Sequence, residues 1–190
     1  MDSEILVPII TALSALLGGG LTAYVQSRSQ GRAHRFQQDV EAIKHRRERL
    51  SKQQSDVAQR LVNAHKLLSK TAREFSLTRL DILWRKNMTD LEFDGHYLAA
   101  CADMDELRAL IDLYEPQLSE SVEEIHGQMN LVWGYFKEVL ARTARGEPIH
   151  ELDSMYGKAH AASVNIGRIV AHVKSRLVER AGKVQTLDPD

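Results

Sequence analysis

The sequence predicts an all-α protein. A single N-terminal transmembrane helix continues into a long stalk helix, and a cytoplasmic antiparallel four-helix bundle follows. Three observations predict it. Residues 5–25 form one uncharged apolar run. Apolar residues beyond that run recur at steps of 4 and 3, the helical period. Strand alternation and hairpin dipeptides such as Asn-Gly are absent.

The run Ile5 to Val25 holds 21 residues without a charge. About 20 apolar residues at roughly 1.5 Å each cross a hydrocarbon core, and a helix keeps every backbone group paired there. Pro8 falls in the first turns, where proline costs least. A cleaved signal peptide wants a positive N-terminal flank, and here the flank carries Asp2 and Glu4. Arginine begins only after the run, at Arg28, Arg32 and Arg35. The positive-inside rule then places the N-terminus outside and the rest of the chain in the cytoplasm, at the inner (plasma) membrane. Those three arginines share one helical face at the height of anionic lipid headgroups. Within the run, Thr11, Ala15, Gly19 and Ala23 recur every four residues, a small-xxx-small ridge that lets two spans pack as a homodimer.

Beyond the membrane the track runs Phe36, Val40, Ile43, Arg47, Leu50, Gln54, Val57, Leu61, Ala64, Leu68, Thr71, Phe75. This is a heptad seam, weak where Arg47 and Gln54 occupy it and widened from Val57 onward. The reading gives an anchor over 1–26, a basic stalk over 27–56, a bundle over 57–182 and a flexible tail over 183–190. The first soluble helix reaches about Lys86 with a kink near Ser76. A turn spans Asn87 to Gly95, with Thr89 or Asp90 as cap. A second helix covers Leu98 to Tyr114 with Leu107, Leu110, Ile111 and Tyr114 inward. Pro116 opens a third helix that reaches about Arg145, and Gly146 with Pro148 ends it. A fourth runs from Ile149 to Ala181, with Leu152, Met155, Ala159, Val164, Ile166, Ile169, Val170, Val173 and Leu177 inward. Trp133-Gly134-Tyr135 is read as a close helix crossing, and Tyr114, Trp133, Tyr135 and Phe136 as core.

This layout is similar to that of the peripheral-stalk b subunits of rotary ATP synthases. It departs from them in the triple glycine Gly18-Gly19-Gly20 and in the folded-back bundle, and no function is carried over.

Charge divides the chain sharply. Residues 28–86 carry 15 basic and 6 acidic side chains, residues 87–128 carry 1 and 11, and residues 129–190 carry 9 and 7. The overall charge of −1 is therefore a cancellation between neighbours. A basic first helix and an acidic second one attract when packed together; otherwise each faces a partner outside the molecule.

No phosphate-binding loop, nucleophile elbow or dinucleotide fingerprint is present. Glu123 and His126 make one Glu-x-x-His, and a di-metal bundle site needs two. Cys101 lies in a small apolar run, expected as a buried, inert thiol. The cluster Lys44-His45-Arg46-Arg47-Glu48-Arg49 lacks interleaved aromatics, which disfavours nucleic acid. The expectation is a non-enzyme with no cofactor or metal. It is a membrane-anchored interaction or scaffold protein presenting an acidic face to a protein partner. That face comprises Asp103, Asp105, Glu106, Asp112, Glu120, Glu123 and Glu124. The alternative is a membrane-perturbing, toxin-like effector that oligomerises through the small-residue span.

Overall fold

A computed structural model describes the backbone of residues 3–185 and the side chains of residues 36–148 and 152–184. Among the described residues five α-helices follow in order: α1 Ser3–Glu74, α2 Leu77–Arg85, α3 Asp90–Tyr114, α4 Ser119–Ala144 and α5 Ile149–Gln185, with a 3-10 turn Pro116–Leu118 before α4. No strand occurs among the described residues. The chain divides into two units, Met1–Gln53 and Gln54–Asp190.

Among the described residues no helix is long and apolar enough to cross a membrane. The span predicted over 5–25 falls where side chains lie outside the described residues, and so do its packing ridge Thr11, Ala15, Gly19, Ala23 and the arginines Arg28, Arg32 and Arg35. In the first unit every side chain from Phe36 to Gln53 is exposed.

The second unit is an antiparallel bundle, and side-chain bonds give its neighbours. Lys70 Nζ of α1 lies 2.7 Å from Asp103 of α3, and Arg60 stacks on Tyr114 at 4.2 Å from the ring centroid. As α1 residues rise in number, their α3 partners fall, so the two helices run in opposite directions. Likewise Asp94 meets Lys137 and Arg108 meets Glu123 between α3 and α4. Glu124 meets Arg168 at 3.6 Å between α4 and α5. Lys174 donates to Ser69 at 2.9 Å, and Ser163 donates to the Phe75 carbonyl, between α5 and α1. The four antiparallel neighbours enclose one apolar core with Leu68, Met104, Leu107, Ile125, Met129, Phe136, Ile166 and Val173 at its centre.

The expected kink at Ser76 is a full break. α1 stops at Glu74, and the Ser76 hydroxyl accepts from the Arg79 amide as N-cap of α2. α2 closes in a Schellman motif. Asn87 turns left-handed at φ 51°, its amide bonds Trp84 O at 2.9 Å, and Met88 N bonds Leu83 O at 3.2 Å. Gly146 at φ 76° ends α4 in the same way.

Several expectations need correction. The second bundle helix begins at Asp90, not Leu98. Thr89 and Glu92 form a reciprocal capping box, and Phe93 is buried, so the stretch read as a turn already carries a cap and a core anchor. Pro116 opens a 3-10 turn, and α4 proper starts at Ser119. Residues 183–185, read as the start of a flexible tail, are helical, and Val184 is buried; residues 186–190 lie outside the described residues. Tyr114 and Val164 are exposed instead of inward, while Ala162 and Ser163 take the inner positions on α5. Gly134 is exposed, and a Cβ built there meets nothing within 4 Å, so no close helix crossing occurs at that glycine.

Candidate interaction surface

The acidic residues singled out by charge divide into two groups. Asp103 is held by Lys70 of α1. Glu123 pairs with Arg108, which also lies 3.7 Å from Asp105, and Glu124 pairs with Arg168. Asp112 accepts a hydrogen bond from the Ser119 hydroxyl at 2.6 Å. Glu106 and Glu120 are exposed. The basic first helix and the acidic second helix are thus neighbours, and part of the acidic charge is engaged by basic side chains of the same bundle.

Apart from Glu120 on α4, the acidic residues that remain outward lie on α3, beside exposed leucines. Leu91, Leu98 and Leu113 are 77%, 66% and 72% exposed. Steps of seven run Leu91, Leu98, Asp105 and Asp112, so leucines and carboxylates share one helical face. Glu106 and Leu113 sit one position further along the same face. Exposed leucines spaced two turns apart and flanked by carboxylates form a mixed apolar and acidic strip. Sequence reasoning found its carboxylates and missed its leucines, because it placed the α3 start after Leu91 and looked only for an inward stripe.

Behind this strip α3 is locked to α4. Asp94 Oδ1 accepts from the Trp133 indole N–H at 2.8 Å, and Asp94 Oδ2 accepts from Lys137 Nζ at 2.6 Å. The Lys137 and Trp133 hydrogen bonds hold the Asp94 carboxyl below its ordinary range. Tyr97 stacks on Trp133 with centroids 5.2 Å apart, and its hydroxyl donates to Asn130 Oδ1. Burial, with the Cys101 thiol beside it, pushes the Tyr97 hydroxyl well above its usual value. Phe93 meets Phe136 edge to face at 5.2 Å. Cys101 is half-buried next to Tyr97, not sealed in the core as its apolar neighbours suggested. At the helix end, Glu115 is buried and takes Arg180 at 3.0 Å and Gln117 at 2.5 Å, which joins α3 to α5.

Among the described residues no group of three or more His, Cys, Asp or Glu is placed to hold a metal ion. Glu123 of the Glu-x-x-His element is engaged by Arg108. A groove of about 370 Å³ opens between α1 and α5, lined by Ala58, Leu61, Val62, His65, Leu177 and Val178 among others. Burial, and then the nearby charge of Lys174, lower the His65 pKa from 6.5.

Comparison of the chain with protein-family models, with curated proteins and with solved structures finds no match in any of the three.

Proposed function

We propose that this chain is a non-enzymatic, membrane-anchored helical interaction protein, with residues 5–25 as a single span and the bundle in the cytoplasm. The observation that carries the reading is the outward face of α3. Leu91, Leu98 and Leu113 remain exposed there beside Asp105, Glu106 and Asp112. Burying three leucines costs nothing in hydrogen bonding and gains apolar contact, while the carboxylates select a partner by charge. The partner that fits is a protein with a basic surface carrying apolar side chains, such as an amphipathic basic helix. The bonds of Asp94, Trp133 and Lys137 hold α3 rigidly against α4, so the face is presented without an ordering cost.

Anchoring rests on the uncharged run 5–25 and on arginine appearing only beyond it, with Arg28, Arg32 and Arg35 at the anionic headgroups. Crosslinking in native membranes with mass spectrometry tests the partner, comparing the natural chain with Leu98→Ser, Asp105→Lys and Glu106→Lys combined. Loss of a crosslinked partner in the triple variant supports the reading; an unchanged set of partners overturns the α3 face. Alkaline carbonate extraction tests the anchor, and release of the chain into the supernatant overturns it. Growth arrest with dye leakage on expression would instead favour the membrane-perturbing reading, with Thr11, Ala15, Gly19 and Ala23 as the oligomer face.

A further inference from the structure

The seam of α1 has two parts that share one register and differ in surroundings. From Leu61 onward it is core: Leu61, Ala64 and Leu68 are buried, and the Lys174 bond to Ser69 holds α5 against this stretch. α5 runs antiparallel as far as Gln185, and Val184 is buried. Upstream the same track is bare. Phe36, Val40, Ile43 and Leu50 are 71%, 47%, 55% and 39% exposed.

The width of the stripe changes at the same place. Numbering the track as heptad positions puts Phe36, Ile43 and Leu50 at d, with Val40 and Arg47 at a. The flanking e and g positions over 37–53 are Gln37, Asp39, Lys44, Arg46, Ser51 and Gln53, all polar. Beyond Val57 they include Ala58, Leu67 and Ala72. A wide stripe suits a bundle with several neighbours, and a strict two-position stripe suits a single partner helix.

We infer that residues 36–53 pair with the same segment of a second copy of this chain, as a parallel, in-register two-stranded coiled coil. Charge identifies the occupant. In a parallel pair a g residue meets the e residue five positions later on the other helix. Here that brings Asp39 against Lys44 of the second copy, twice by symmetry, and both side chains are exposed and so placed to reach across. Val40 at a and Leu50 at d are the choices of a parallel dimer, while Phe36 and Ile43 at d and Arg47 at a are not. In-register pairing also sets Arg47 against Arg47, one unfavourable layer that limits affinity. The parallel sense rests additionally on the proposed anchoring, since two chains fixed at the same membrane by the same end point the same way.

The test uses the full chain in membranes with Cys101→Ser as background. Cysteine is introduced singly at Val40→Cys, Ile43→Cys or His45→Cys, the last at an outward f position, and the membranes are oxidised. Disulfide dimers at 40 and 43 but not at 45 are expected, and equal or absent dimer at all three overturns the pairing. Self-association of detergent-solubilised full chain is then followed by sedimentation. Asp39→Lys and Lys44→Asp should each weaken it roughly two- to tenfold, and the double exchange should restore it to within about twofold. Failure of the double exchange to restore overturns the parallel register. Arg47→Ile should tighten association at least about tenfold. Weakening by that variant would mean an unlike partner with an acidic residue at this layer, and overturns self-pairing. Carbonate extraction of the same samples separates the two readings. A chain that extracts yet crosslinks sinks the anchor alone, and one that stays yet never crosslinks sinks the coiled coil alone.

Discussion

Leu68→Ala and Ile43→Ala remove comparable aliphatic side chains from one heptad track, and they should have very different consequences. Leu68 is fully buried between α1 and the rest of the bundle, whereas Ile43 is 55% exposed. Truncating a fully buried leucine removes its transfer free energy and leaves a cavity that rigid neighbours only partly fill, about 3–4 kcal/mol in all. At roughly 3–5 °C per kcal/mol for a unit of this size, the melting point should fall by about 10–20 °C. A half-exposed site changes stability by only about 0.5 kcal/mol, and alanine's better helix propensity offsets part of that. Ile43→Ala should therefore move the melt by no more than about 2–3 °C. The assay is thermal unfolding of the full chain followed by intrinsic tryptophan fluorescence. The two tryptophans, Trp84 and Trp133, both pack against the bundle core, so the signal reports that unit. Equal shifts for the two variants would refute the division of the seam into a core half and a bare half.

Other predictions follow from single contacts. Thr89→Ala breaks the capping box of α3 and should destabilise the bundle by about 1 kcal/mol, with Thr89→Ser close to the natural protein in the same fluorescence melt. Gly134→Ala should stabilise it by about 0.5–1 kcal/mol, because the glycine sits in a helix interior where an added Cβ meets nothing; a loss of stability would show a contact there after all. His65 has a folded pKa below 6.5, so between that lowered value and 6.5 the unfolded chain holds a proton that the folded chain does not. Stability should rise with pH across that window and fall on acidification. Comparing melts of His65→Gln and the natural chain at about pH 5.5 and 7.5 checks this: the pH difference should shrink in the variant. Trp133→Phe removes a donor to Asp94, so the Asp94 carboxyl should move back up toward its ordinary value, measurable by NMR titration; an unmoved carboxyl would mean that Lys137 alone holds it.

Much of the helical architecture was legible because periodicity and punctuation are local signals. An interruption near Ser76 and the stop at Gly146 are written in caps and glycine, although the kink expected at Ser76 is a full break. The start of α3 was misplaced because Asn87 to Gly95 has turn composition. Thr89, read as a possible cap, is the cap; what was missed is that the helix follows it directly, with Phe93 buried against Phe136. Val164 and Ser163 exchanged places for a related reason. Hydrophobicity favoured the valine, and the position facing the Phe75 carbonyl at the end of α1 required a hydroxyl.

By itself the sequence determined that the chain is helical, where its uncharged run lies, and how its charge is segregated, since each depends on residues near one another along the chain. The tertiary structure decided which charges are engaged. Asp103, Glu123 and Glu124 meet Lys70, Arg108 and Arg168, partners 15 to 44 positions away that no spacing rule connects. It also decided where the seam stops being core. Heptad spacing is identical on both sides of Val57, yet Leu61, Ala64 and Leu68 are buried while Phe36, Val40, Ile43 and Leu50 are exposed.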